Sequence, residues 1–322
     1  MSPFKIMTRW VAAILGLGLA GQAFADEIRL ATQPIPHYAP IFVAKHKGWL
    51  DEELAKVKPG IELKWSSFAA GPPINESFAA GQQDFGFLGD TPALIGKSVG
   101  IDTKVVGLTS SGPQTLAVIV GAGSSLKDPK DLKGKKVAVT KGSYAQHLLA
   151  LVLEKGGLTF NDIELISLPN AEIPPAIIAG TIDAGAVWEP VITRFESQKV
   201  IRVLADGTGI KKGVLVIIAA ADFVKNKPEQ TRALLRAYAR AAAYIKANPK
   251  EAAELVSADT NLPPDLLVQV FAKFDYSPVI RADDAEEIRR AEVYLRTVGI
   301  LKAPVDVNAW LDRTLLAEGG TK

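Results

Sequence analysis

The pattern A-G-x-x-D-x-G occurs twice, as Ala80-Gly81-Gln82-Gln83-Asp84-Phe85-Gly86 and as Ala179-Gly180-Thr181-Ile182-Asp183-Ala184-Gly185, 99 residues apart. A proline pair precedes each copy, Pro72-Pro73 and Pro174-Pro175, where a helix can start. An acidic residue near a proline follows each, Asp90-Thr91-Pro92 and Glu189-Pro190. In each copy the glycine ends a helix, the aspartate opens a strand, and the strand hands over to a new helix. A chain built twice on this plan is constrained to two similar α/β lobes. Open α/β sheets bind ligands beyond the carboxyl ends of their strands. Two such lobes face to face make a cleft lined by residues 89–92 of one and 141–143 plus 188–190 of the other.

The rest of the chain agrees with that plan. Strands are predicted at Ile28–Thr32, Ile61–Ser66, Asp84–Leu88 and Lys104–Leu108, with helices at Tyr38–Lys47, Pro73–Ala80 and Pro92–Val99 between them. The alternation resumes with strands at Leu116–Val120, Lys136–Val139, Ile163–Leu168, Ala184–Val187 and Ile201–Leu204, and helices at Ser143–Glu154, Pro174–Ala179 and Pro190–Glu196. This rhythm predicts mostly parallel sheets with helices on both faces. Gly213–Ala220 is a last apolar strand. From Pro228 helix follows helix, over Glu229–Ala247, Lys250–Ala258, Pro264–Phe274, Asp283–Thr297 and Val307–Leu316.

The first 25 residues stand apart. Lys5 and Arg9 form a basic start, Trp10–Ala20 is a short apolar run, and Ala23-Phe24-Ala25 is an A-x-A cleavage site. They read as a secretory signal peptide cleaved after Ala25, leaving a mature chain that starts at Asp26 outside the cytoplasm, in the periplasm. Of the 37 basic residues, removal of Lys5 and Arg9 leaves 35 against 35 acidic ones, so the mature chain is neutral. No basic face stands out, which argues against nucleic acid. The chain has no cysteine, so packing alone must stabilise it and no lipid-attachment cysteine follows the leader. Two domains are expected at this length.

Several tempting motifs fail. Gly16-Leu17-Gly18-Leu19-Ala20-Gly21 matches G-x-G-x-x-G but lies in the leader and follows no strand. Gly96-Lys97-Ser98 lacks the upstream glycine of a phosphate loop, since position 91 is Thr91. The three histidines, His37, His46 and His147, form no metal-ligand spacing, and no G-x-S-x-G elbow appears. No catalytic residue, metal or cofactor is therefore expected. One stretch does carry chemistry. Val137–Leu149, "VAVTKGSYAQHLL", runs from a strand through Lys141-Gly142-Ser143 into an apolar helix. The unpaired N–H groups and dipole of such a helix start favour an anion. Ser143 with Gln146 also fits the S-x-x-Q capping box, which satisfies those groups internally. Both readings stand at this point.

"GFLGDTPALI" (86–95), "FAAGPPINESFAAG" (68–81), "VAVTKGSYAQHLL" (137–149) and "IDAGAVWEPV" (182–191) together resemble the periplasmic substrate-binding proteins of sulfonate, taurine and nitrate ABC importers. The resemblance spans residues 28–316 and is greatest to the aliphatic-sulfonate binders. It implies a type II periplasmic-binding-protein fold: two α/β lobes, a hinge of two crossover strands near Leu116–Gly121 and Val214–Ala219, and a helical tail packed on the first lobe. The lobes would comprise residues 26–118 with 217–322, and 119–216. It implies a monomeric receptor that passes a small organic anion to a membrane permease and its ATPase, feeding sulfur metabolism. Taurine, nitrate, an aromatic sulfonate or a thiamine-precursor pyrimidine are the alternative ligands, and a secreted enzyme on the same fold is the alternative of another class.

A sulfonate is always ionised and only accepts hydrogen bonds, so its site must offer donors. Gly142, Ser143, Gly89, Asp90 and Thr91 lie at the two helix starts. Ala70 and Gly71, before Pro72, allow close backbone approach, and Gln33 can donate through its amide or be a solvated loop residue. Lys141 supplies charge or is a surface lysine. His147 lies one turn beyond Ser143. Trp188 is a core residue or an apolar wall for the ligand's tail. Glu189 and Asp90 match helix dipoles or accept from an amine such as that of taurine. The resemblance also implies small hydroxyl residues after Lys-Gly-Ser; Tyr144 and Ala145 stand there instead, which points to a larger tail or an aromatic sulfonate.

Overall fold

The computed structural model describes residues 26–316, so the expected signal peptide lies outside the described residues. Ten strands form two five-stranded sheets. The first contains β1 (Glu27–Thr32), β2 (Glu62–Ser67), β3 (Phe85–Gly89), β4 (Thr103–Gly112) and β10 (Gly213–Ala220), in the order β2-β1-β3-β10-β4. The second contains β5 (Leu116–Gly121), β6 (Lys136–Val139), β7 (Glu164–Ser167), β8 (Ala184–Trp188) and β9 (Ile201–Asp206), in the order β7-β6-β8-β5-β9. The two orders are equivalent: in both, the second-to-last place is taken by the strand that has just arrived from the other sheet. That strand runs antiparallel to both neighbours, β10 between β3 and β4, β5 between β8 and β9. The sheets are thus mixed where the βαβ rhythm predicts mostly parallel ones. A strand that enters directly from another sheet has no crossover helix to reverse it.

The chain passes between sheets at residues 113–115 and 207–212, just outside the expected crossover strands. β5 and β10 are each laddered along their length to two neighbours of one sheet, so a lobe limit within either would cut a strand. The passages lie side by side, joined by the Gly207 N–H donating to the Pro113 carbonyl at 2.8 Å.

The repeat does the same work in both lobes. Gly81 and Gly180 end their helices with φ of +68° and +70°. The Asp84 carboxylate accepts the Arg29 N–H of β1 at 2.8 Å, and the Asp183 carboxylate accepts the Lys136 N–H of β6 at 2.9 Å. Each aspartate pins the start of its own strand to the neighbouring one. At Gly86 a Cβ would meet Phe78 Cε2 at 2.6 Å, and at Gly185 it would collide with Ile173, so each glycine lets the preceding helix lie on its strand.

β3 and β8 are buried throughout, as strands covered on both faces are. The helices Pro228–Ala247, Pro249–Thr260, Pro264–Phe271 and Ala282–Thr297 form the tail, packed mainly on the first lobe, where Tyr238, Leu234 and Leu267 join one core and Ile288 and Leu295 another. The last helix ends at Trp310, short of the expected Leu316, because Leu311 pairs with Val105 of β4. Helices Trp49–Ala55 and Ala221–Asn226 are additional to the sequence reading. Among the described residues no helix is long and apolar enough to cross a membrane.

Candidate functional site

The carboxyl ends of β1, β3, β6 and β8 converge between the lobes. There a cavity of about 20 Å³ is lined by Gln33, Ile35, Tyr38, Ala70, Gly71, Gly89, Pro92 and Leu215 of the first lobe and Ser143, Tyr144 and Trp188 of the second. Two helices start at it: Asp90–Ser98, capped by Gly89, and Tyr144–Lys155, capped by Ser143. Their dipoles make the lining favourable to negative charge although no lining residue is charged. The lobes touch here. The Gly142 turn abuts Pro72 Cγ and Ile95 Cδ1, 3.6 and 4.0 Å from where a Cβ would sit. The cavity holds little more than one water, so a larger ligand needs the lobes or lining side chains to move apart.

Six of the expected site residues line this cavity: Gln33, Ala70, Gly71, Gly89, Ser143 and Trp188. Asp90, Thr91, Lys141, Gly142, His147 and Glu189 do not. The donors are also fewer than the sequence suggests. Half of the expected capping box is realised: Ser143 Oγ accepts the Gln146 N–H at 3.3 Å, while Gln146 Oε1 accepts the Gly142 N–H at 2.7 Å in place of that of Ser143. The Ser143 N–H donates to the Thr140 carbonyl. Gln33 spends its amide on Tyr38 Oη (2.9 Å) and the Phe87 carbonyl (3.1 Å). What remains is the Ser143 hydroxyl proton and the N–H groups of Tyr144 and Ala145, which have no partner within their helix by its geometry.

The two carboxylates are structural in the same sense. Asp90 is fully buried, 2.5 Å from the equally buried Lys211 Nζ, and its other oxygen accepts the Thr91 N–H and hydroxyl at 2.6 and 3.1 Å. Thr91's donors are thereby used locally. Glu189 is fully buried, 2.5 Å from Lys273 Nζ, and accepts from the Thr193 N–H and hydroxyl at 3.1 and 2.8 Å. Burial pushes its carboxyl up from the usual range, against the pull of Lys273. A buried charge must be paired, and each lysine supplies the pair from a distant segment. His147 is buried with its ring stacked on Tyr294 at 4.7 Å, and burial holds its pKa well down. Lys141 is exposed. Trp188 is both core and wall: it is 5% exposed, its backbone pairs with the Asn170 side chain, and its ring faces Tyr144 at 5.8 Å.

Pro92, within the expected 89–92 lining, is at the cavity, whereas sequence reasoning misses Ile35, Tyr38, Tyr144 and Leu215 as lining residues. The first three of these follow strand ends and carried that signal. Leu215 arrives on the antiparallel β10 opposite Gly89, which no local pattern reveals. Among the described residues no group of three or more His, Cys, Asp or Glu is placed to hold a metal ion. The arrangement can hold a small anion by hydrogen bonds and helix dipoles, beside aromatic walls.

The family model described as NMT1/THI5 like matches residues 35–252. A protein of Bacillus subtilis (strain 168) named as an aliphatic sulfonates-binding protein is 31% identical over 294 residues, 90% of this chain and 87% of its own length. The alkanesulfonate-binding protein SsuA from Xanthomonas axonopodis pv. citri, solved bound to MOPS, has a TM-score of 0.79 at 25% identity, covering 89% of this chain and 98% of that one. The periplasmic aliphatic sulphonate binding protein SsuA from Escherichia coli gives 0.78 at 25% identity, over 88% and 97%. These relatives are named as binding proteins rather than enzymes, and their fold is the periplasmic-binding-protein fold expected from the sequence. The paired mixed sheets, the cleft at their strand ends and the span of these matches lead to one conclusion: the chain belongs to the NMT1/THI5-like family.

Proposed function

We propose that this chain is a periplasmic receptor that takes an aliphatic sulfonate between its lobes and delivers it, as a monomer, to the permease and ATPase of an ABC importer. The observation that carries the reading is the meeting of two helix N-termini at an uncharged, aromatic-walled cleft. A sulfonate asks for donors and no proton. Ser143 Oγ and the first-turn N–H groups offer donors, and Trp188 and Tyr144 offer apolar surface for a tail. Hydrogen bonds to a charged group contribute about 1.5–3 kcal/mol each, and three to five of them reach the roughly 8 kcal/mol of a micromolar complex. Taurine fits less well, because the Asp90 and Glu189 carboxylates expected to accept from its amine are engaged by Lys211 and Lys273. Nitrate would leave the aromatic walls without a partner.

The test is a thermal-shift panel on residues 26–322 with C2 to C8 alkanesulfonates, taurine, an aromatic sulfonate, nitrate, sulfate and a thiamine-precursor pyrimidine. A ligand at 100 times its Kd stabilises by about 2.7 kcal/mol. The shorter alkanesulfonates are expected to shift Tm, and nitrate and sulfate are not. A shift with nitrate or the pyrimidine and none with any sulfonate overturns the reading.

A further inference from the structure

Tyr144 is the first residue of its helix, 5% exposed, and its side chain lies across the cleft. It reaches three parts of the molecule. Its hydroxyl is 2.9 Å from His37 Nε2 in the first lobe and 3.4 Å from the Thr115 carbonyl at a passage between sheets. Its ring faces Trp188 at 5.8 Å in its own lobe. Its Cβ and Cγ lie against Gly89 of the first lobe, each 3.3 Å from where a Gly89 Cβ would be, so a side chain there would press the ring out of this place by a few tenths of an ångström. His37 is itself held, with its ring edge on Phe274 at 4.6 Å, so the partner of the Tyr144 hydroxyl is anchored. Gly89 and Ser143 are the caps of the two helix starts. An anion seated at those starts therefore has the Tyr144 ring directly beside it, in the space its tail would otherwise enter.

We propose that Tyr144 is the specificity-determining residue of the cleft: its ring, fixed between Gly89, Trp188 and His37, sets the upper limit on tail length and restricts the receptor to short-chain sulfonates. This rests on the sulfonate reading above and reverses the sequence expectation of a larger tail. A tyrosine at this place fills volume rather than widening the site. Ring and hydroxyl have separable roles. The ring excludes a long tail, and the hydroxyl's bond to His37 keeps the ring in place.

The test is calorimetric titration of residues 26–322, wild type, Tyr144→Ala, Tyr144→Leu and Tyr144→Phe, with ethane-, butane-, hexane- and octanesulfonate. The quantity read is the ratio of octanesulfonate Kd to ethanesulfonate Kd. In wild type it should favour ethanesulfonate. In Tyr144→Ala it should move toward octanesulfonate by about tenfold or more, the order of discrimination a pocket gains from one or more methylenes. Tyr144→Phe, which keeps the ring but loses the bond to His37, should fall between wild type and Tyr144→Ala. Should Tyr144→Ala fail to fold by circular dichroism, Tyr144→Leu carries the same expectation. A wild type that binds sulfonates with a ratio unchanged in the folded Ala or Leu variant overturns this inference alone. Failure of every sulfonate to bind any of the proteins overturns the underlying reading, and this inference with it.

Discussion

His37 shows what burial does to a single residue. It is fully buried, its Nε2 meets Tyr144 Oη, and its Nδ1 has no partner among the described residues. Tyr38, Tyr144 and Phe274 pack against its ring. Burial lowers its pKa to about 3, against the ordinary value near 6.5. Between those values the unfolded chain holds a proton that the folded chain does not. Stability is thus fully present above pH 6.5 and is lost as pH falls toward 3, by about 1.4 kcal/mol per pH unit. His147 is depressed in the same direction, also by burial first. Tm should fall between pH 7 and pH 5, and His37→Gln, which keeps a polar side chain near Tyr144 but takes up no proton, should show a shallower fall. Parallel curves for the two proteins would refute the assignment. None of this was legible in "PIPHYAP", where His37 has no marked neighbour. By contrast, the cap at Ser143 was legible, because S-x-x-Q is a local pattern with a local partner.

At the scale of elements, the repeated aspartates invite a comparison. Asp84 accepts from the Arg29 backbone and also pairs with its guanidinium at 2.8 Å, whereas the Asp183 carboxylate, among the described residues, holds only the Lys136 N–H. Asp84→Ala should therefore cost about 1.5–3 kcal/mol and Asp183→Ala about 0.5–1.5 kcal/mol in urea unfolding. Equal losses would mean that the guanidinium adds nothing. The elements themselves were largely legible. All ten strands and the main helices follow from periodicity, proline starts and glycine ends, since these signals act within a few residues. The helix expected over Val307–Leu316 stops at Trp310, because Leu311 pairs with Val105 of β4 rather than continuing a turn.

For the whole molecule the decisive contacts cross between distant segments. Lys211, in the passage from β9 to β10, is fully buried between Asp90 at 2.5 Å and Glu287 of the tail at 3.6 Å. It ties the hinge to a helix start of the first lobe. Lys273 of the tail does the same for Glu189 of the second lobe. Removing one partner of a buried pair leaves an uncompensated charge, so Lys211→Met should destabilise by about 3–5 kcal/mol in urea unfolding at pH 7. Adding Asp90→Asn should recover most of that loss. Additive losses in the double variant would show that the two side chains do not act as a pair.

By itself the sequence determined the duplicated α/β plan, the order of strands and helices, and the two helix starts aimed at one cleft. It did so because hydrophobic period, proline and glycine act locally, and the A-G-x-x-D-x-G copies impose the same local geometry twice. Only the tertiary structure decided that β5 and β10 run antiparallel, which brings Leu215 opposite Gly89. Only it paired Asp90 with a lysine 121 residues away, consumed the Gln33 and Gly142 donors, and laid Tyr144 across the cleft to His37. The reason is physical. A buried polar group must find a partner wherever packing places one, and that place is set by how the two sheets meet.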